Sequence, residues 1–108
     1  LLLEVYTMNN QAKLQLLLQE LLGSKNVYYQ APETLKMQYP AIRYTLDTIN
    51  STHADNVKYT MRDRYQLTVI SKLPDHEVIR KLLSLPYTSY ERHYVADNLN
   101  HDVINIYY

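Results

Sequence analysis

The chain has 108 residues, enough for one domain with a modest core and too few for a second. Its hydrophobic content of 46% against 20% charged residues excludes a disordered chain, and eleven basic residues balancing eleven acidic ones exclude a strong field for phosphate backbone or an anionic membrane. With no cysteine, disulfides, thiolate metal sites and a cysteine nucleophile are ruled out, stability rests on packing, and a reducing compartment fits.

Leu1-Leu2-Leu3 meets Glu4 at once and lacks a basic flank, so it is too short for a signal h-region or a membrane span. A start on Leu rather than Met leaves a longer protein open. Twelve tyrosines with no Phe, no Trp and a single Gly fit half-buried sheet faces and subunit contacts, where one end of each ring stays wet.

From Asn10 to Leu22, Leu14, Leu17, Leu18, Leu21 and Leu22 recur at helical spacing, with Asn9 or Asn10 as cap and Gly23 at the left-handed C′ position. The helix needs a sheet beneath it. Asn26–Gln30 reads as a short strand ended by Pro32, and residues 33–38 as a loop or single turn. A second strand covers Tyr39–Asn50, with Pro40 at its start or on an edge. Residues 50–56 are dense in turn formers and form the loop at a hairpin tip.

Val57–Ile70 alternates most clearly. Val57, Tyr59, Met61, Tyr65, Leu67 and Val69 share one face, and Lys58, Thr60, Arg62, Arg64, Gln66 and Thr68 the other. Asp63 breaks the dry face, so Arg62-Asp63-Arg64 is read as a bulge or as the point where an extended arm meets the body. A helix from His76 to Leu85 follows, with Asp75 as cap and Val78, Ile79, Leu82 and Leu83 on one face. The chain closes with two β-rich runs around Asp97-Asn98-Leu99-Asn100, read as a β-hairpin.

Two registers are open for that hairpin. Ala96 opposite His101 sets Tyr94 against Val103 and Tyr90 against Tyr107. A loop two residues longer sets Val95 against Ile104 and His93 against Ile106, and is preferred for its cleaner apolar face. Either keeps Tyr107 and Tyr108 in the sheet. The whole reads as an α+β domain over residues 1–108 in the order α-β-β-β-α-β-β, an antiparallel sheet with two helices on one face.

Chemistry is sparse. One glycine excludes phosphate cradles, dinucleotide turns and a nucleophile elbow. A His/Asp metal site from His93, His101 and Asp102, or from His53 and Asp55, is a weak reading, because His101 and Asp102 are adjacent in a strand and point to opposite faces. Polar side chains bonded to backbone or water explain them better. Asp47, Asp63 and Glu91 offer no spacing for a paired acid and base. Arg62, Arg64, Lys58 and Arg92 beside tyrosines could line a nucleic-acid groove, but a solvated sheet face accounts for them in a neutral chain.

The run ERHYVADNLNHDVINIYY (Glu91–Tyr108), with Val27–Pro32, Met37–Ile42 and Tyr65–Ile70 before it, resembles a family of small tail-completion or minor tail proteins of tailed phages and prophages of Gram-positive bacteria. The likeness runs in order from Tyr6–Asn10 to Tyr108. It departs at Ser71–Asp75, where relatives have a turn richer in aspartate and proline, and at Tyr87-Thr88, where they often carry a cysteine.

The element order is also similar to that of tail terminators. The resemblance implies a non-enzymatic virion protein of the tail or head-tail junction, assembled in the host cytoplasm as a homo-oligomer, a hexameric ring, without cofactor or metal. One face would meet the tail tube protein and the other a head-completion or connector protein, with no membrane contact and with DNA passing through the lumen unbound. Expected contact residues are His53 and Asp55 in the tip loop, Arg62 and Arg64 on the sheet face, and Asn98, Asn100, Tyr107 and Tyr108 in the last hairpin. Another connector, an adaptor or stopper, is the alternative. A small hydrolase or nucleic-acid-binding factor dependent on His93 or His101 is the remaining one.

Overall fold

A computed structural model describes residues 9–51 and 62–108. The elements are α1 (Asn10–Leu22), β1 (Val27–Tyr29), β2 (Ala41–Ser51), β3 (Arg62–Ser71), α2 (Glu77–Leu83), β4 (Thr88–Ala96) and β5 (Leu99–Tyr107). This is the expected order, α-β-β-β-α-β-β. The five strands form one sheet in the order β1-β2-β3-β5-β4.

Helix α1 starts where Asn9 Oδ1 accepts the Ala12 N–H at 2.8 Å, satisfying one of the helix's orphan donors. It stops at Gly23, whose φ of 80° lets its N–H turn back to the Gln19 carbonyl at 2.9 Å. Gly23→Ala is therefore expected to cost about 1–2 kcal/mol in urea unfolding from left-handed strain. The added Cβ meets no neighbour, so a steric term should not add to this. Leu14 and Leu18 are fully buried, and Leu17, Leu21 and Leu22 pack partly buried against the same core.

Beneath the helices lie Val27 of β1, Ile42 and Tyr44 of β2, Tyr65, Leu67 and Val69 of β3, and Ile104 and Ile106 of β5. Val78, Ile79 and Leu82 of α2 complete this core. The period-two reading of β3 holds in its described part, with Tyr65, Leu67 and Val69 buried and Gln66 and Thr68 half-buried. Its proposed continuation through Val57–Met61, and the tip loop with His53 and Asp55, lie outside the described residues.

Four particulars differ from the sequence reading. The sheet is antiparallel except at one edge, where β1 runs parallel to β2 with Val27 opposite Ile42. The intervening segment, residues 30–40, is long enough to carry the chain back to the start of β2 without a helix.

The bulge read at Arg62-Asp63-Arg64 lies on the partner strand, while the alternative, an arm meeting the body there, rests on residues outside those described. Leu46 opposes Tyr65 and Thr48 opposes Arg64, so Asp47 is the extra residue, and a second shift follows between Thr48 and Ser51. Helix α2 is shorter than His76–Leu85, and its cap is His76, whose Nδ1 accepts the Val78 N–H at 3.1 Å. Asp75 cannot serve, because its backbone turns through φ 52° just before the helix.

The final hairpin adopts neither anticipated register. Asp97 and Asn98 both have positive φ, 53° and 62°, which gives a two-residue primed turn with Ala96 opposite Leu99. Tyr94 then faces His101, His93 faces Asp102, and Arg92 faces Val103. The alternation is broken once, at Glu91, where Tyr90 shifts to oppose Ile104. This bulge puts Tyr90 and His93 on one face and Arg92 and Tyr94 on the other.

Candidate interface surfaces

Strand β4 is the long edge of the sheet. It has nine residues, most of them exposed, and among the described residues only its inner side is paired, to β5. Tyr90, Tyr94 and Val95 are exposed there at 46%, 39% and 62%. Exposed apolar area on an unpaired edge is a template for another chain unless something blunts it. Here the bulge and the adjacent Glu91–Arg92 ion pair sit in mid-strand, Glu91 also accepting the Asn105 side-chain amide at 3.0 Å. The opposite side ends in β1, which has three residues and covers only Ile42–Tyr44 of the eleven-residue β2. The two edges are thus unequal.

On the face away from the core cluster, the Tyr94 ring stacks on the His101 imidazole at 4.6 Å and 15°, and the Arg92 guanidinium lies 5.5 Å from the Tyr94 ring centre. Beside them a polar hollow of about 240 Å³ is lined by Arg43, Thr45, Gln66, Thr68 and His101. His101 Nδ1 is also 3.0 Å from the Leu99 carbonyl. His101 and Asp102 therefore occupy opposite faces, as strand alternation demands.

The residues anticipated as contacts are largely engaged within the subunit. Arg62 holds its guanidinium 4.4 Å from the centre of the Tyr87 ring. Arg64 bonds through Nε to Asp47 at 2.6 Å and faces Tyr107 across the strand pair. Its hydrogen bond with the Tyr107 hydroxyl, then that with Asp47, raises the guanidinium pKa further and keeps it charged. Asn100 reaches from the turn to the Ser71 and Lys72 carbonyls at 3.4 and 3.3 Å, with His93 Nε2 3.1 Å from its Oδ1.

Asn98 is exposed at the hairpin tip. Tyr107 and Tyr108 are half-buried, their N–H groups bonded to Tyr87 and Asp63 at 3.0 and 2.9 Å. This keeps the final hairpin's end in the sheet. Tyr90, Tyr94 and Val95 of β4, with Leu73 in the turn before α2, are exposed but were not among the expected contact residues. The signal was present in Tyr90, Tyr94 and Val95, but a strand's place at the edge comes from topology.

On the helix side of β4, Tyr90 donates its hydroxyl to Asp102 Oδ1 at 2.7 Å. That bond, with burial second, raises the Tyr90 pKa to about 12, and burial raises that of Tyr65 to about 12. In absorbance-monitored titration these two phenols are expected to ionise near 12, against about 10 for a free phenol. The folded state holds these protons more tightly, so the stability involved is intact below pH 10 and is lost as pH climbs through 12. Asp102→Asn should return Tyr90 towards the ordinary value.

Among the described residues no group of three or more His, Asp or Glu side chains is placed to hold a metal ion, and no helix is long and apolar enough to cross a membrane. Compared with known proteins, the chain matches no family model, no curated protein and no solved structure.

Proposed function

We propose that the chain is a structural protein of a tailed-phage virion, a tail terminator or tail-completion protein. Copies of it close into a ring that caps the tail tube and joins it to the head. The observation that supports this most is the difference between the two sides of the sheet: a nine-residue strand exposed along one, and on the other a three-residue strand that covers only Ile42–Tyr44 of the eleven-residue β2. A ring of identical subunits needs two different, complementary surfaces, because a head-to-tail contact must close through rotation.

Exposed tyrosines on β4 supply amphipathic contact area at such an interface. The family resemblance in Glu91–Tyr108 falls on the same hairpin. On this reading the tail tube protein and a head-completion or connector protein bind the two ring faces, and the charge balance leaves no field to retain DNA in the lumen.

Val95→Lys tests the role of β4. Val95 is exposed, so monomer stability should stay within about 0.5 kcal/mol, while an added edge lysine opposes strand pairing. The expected result is a folded protein that no longer enters particles. Normal incorporation into virions would remove β4 from the interface.

A further inference from the structure

Asp102 is buried to 6% exposure, with its side chain on the helix side of the sheet. A carboxylate has two oxygens and about four lone-pair sites, and burying it is costly unless those sites are filled, best by a cation. Among the described residues its one hydrogen-bond donor is the neutral Tyr90 hydroxyl, on Oδ1. Oδ2 has none.

The carboxylate lines a cleft of about 590 Å³ between α2 and β4, walled by Pro74, Ile79, Leu83 and the Tyr90 ring. The cleft opens to solvent, which leaves the space beside the carboxylate accessible to a side chain from outside the subunit. Of the basic side chains on the cleft wall, Arg80 is turned to Asp75 at 3.5 Å, and His93, opposite Asp102 in the strand pair, has its Nε2 3.1 Å from Asn100 Oδ1.

We propose that this cleft receives a basic side chain, an arginine or lysine, from a partner chain that docks along the outer edge of β4. The chemistry is complementary on both counts. The aliphatic stem of such a residue packs on Pro74, Ile79 and Leu83, while its charged head reaches the open oxygen of Asp102. The cleft adjoins β4, and a strand added to that edge projects alternate side chains over one face of the sheet. Tyr90, on the same face, holds Asp102 by one oxygen and leaves the other for the incoming donor. The inference stands whether or not the chain forms a ring, because it concerns one subunit and one side chain.

The test is a titration followed by NMR of the Asp102 carboxyl carbon and the Tyr90 ring. The probe is a blocked pentapeptide of threonine, valine, arginine, valine and threonine, compared with the same peptide carrying norleucine for arginine. The arginine peptide is expected to give a saturable shift, with binding weakened at least about tenfold by norleucine and by Asp102→Asn. Tyr90→Phe keeps the carboxylate and removes its internal donor, so it should bind the arginine peptide at least as tightly, which covers the case in which Asp102→Asn does not fold. Equal binding of the norleucine peptide, undiminished binding by Asp102→Asn, loss of binding in Tyr90→Phe, or no saturable shift at all would overturn the proposal.

Discussion

Leu18→Ala is expected to destabilise the domain by about 2–5 kcal/mol in urea unfolding, the range for a buried leucine replaced by a methyl group. Leu18 has no exposed surface and sits in the core cluster formed by both helices and the sheet. Truncation leaves a cavity that this neighbourhood can fill only by moving elements tied at both ends. Helix α1 is held at one end by the Asn9 cap and at the other by Gly23, and Gln15 Nε2 bonds across to the Val27 carbonyl at 2.9 Å. Leu16→Ala, at an exposed position in the same helix, is the internal control and should change stability by no more than about 0.5 kcal/mol. Equal effects at the two positions would mean that the helix is rotated.

The second large effect is expected at Tyr44. Its side chain is fully buried, yet its hydroxyl is satisfied, donating to Gln15 Oε1 at 2.6 Å and accepting from Gln11 Nε2 at 2.8 Å. Its ring packs against those of Tyr29 and Tyr65, with centroids 4.8 and 6.1 Å away. Burial raises its pKa above the ordinary tyrosine value, so the group remains a neutral donor over the physiological range.

Tyr44→Phe removes the hydroxyl but keeps the ring, and the half-buried glutamines can turn to water, so the cost should be about 1 kcal/mol. Tyr44→Ala removes the ring as well and should cost about 3–5 kcal/mol. Similar losses in the two variants would shift the weight from ring packing to the glutamine bonds. This triad gives one physical account of a tyrosine-rich chain without phenylalanine: some of the rings form core, and Tyr44 keeps its polar tip by reaching the helix above.

The elements were legible wherever periodicity and local chemistry agree. Five leucines at helical spacing between Asn9 and Gly23 define α1 at both ends, and alternation of Tyr65, Leu67 and Val69 defines the buried face of β3. What the sequence concealed was set by backbone conformations that several residues can adopt. Asp75 resembles a cap, yet it turns through positive φ and leaves that role to His76. Three Asx residues in four marked the final turn but left its length open, and positive φ at both Asp97 and Asn98 selects the tightest register.

The bulge at Glu91 then resets which side chains share a face. It brings Tyr90 and Asp102 together, a pairing that strict alternation from either anticipated register would not give. The same limit applies to which side chains stay open at the surface. Arg62, Arg64 and Tyr107 stood out in the sequence as charged or aromatic, but the fold gives Arg62 a ring in Tyr87 and gives Arg64 the carboxylate of Asp47 and the hydroxyl of Tyr107. The exposed edge falls to β4, whose position depends on β5 inserting between it and β3.

The central proposal is that copies of this chain close a ring at the head-tail junction. The most direct measurement is cryo-electron microscopy of intact particles, with mass measurement of the isolated assembly. A closed ring of this chain between tail tube and connector, six-membered on the present reading and with β4 at the contact between neighbouring copies, is the predicted result. Particles that carry no copy of the chain at that junction would contradict it.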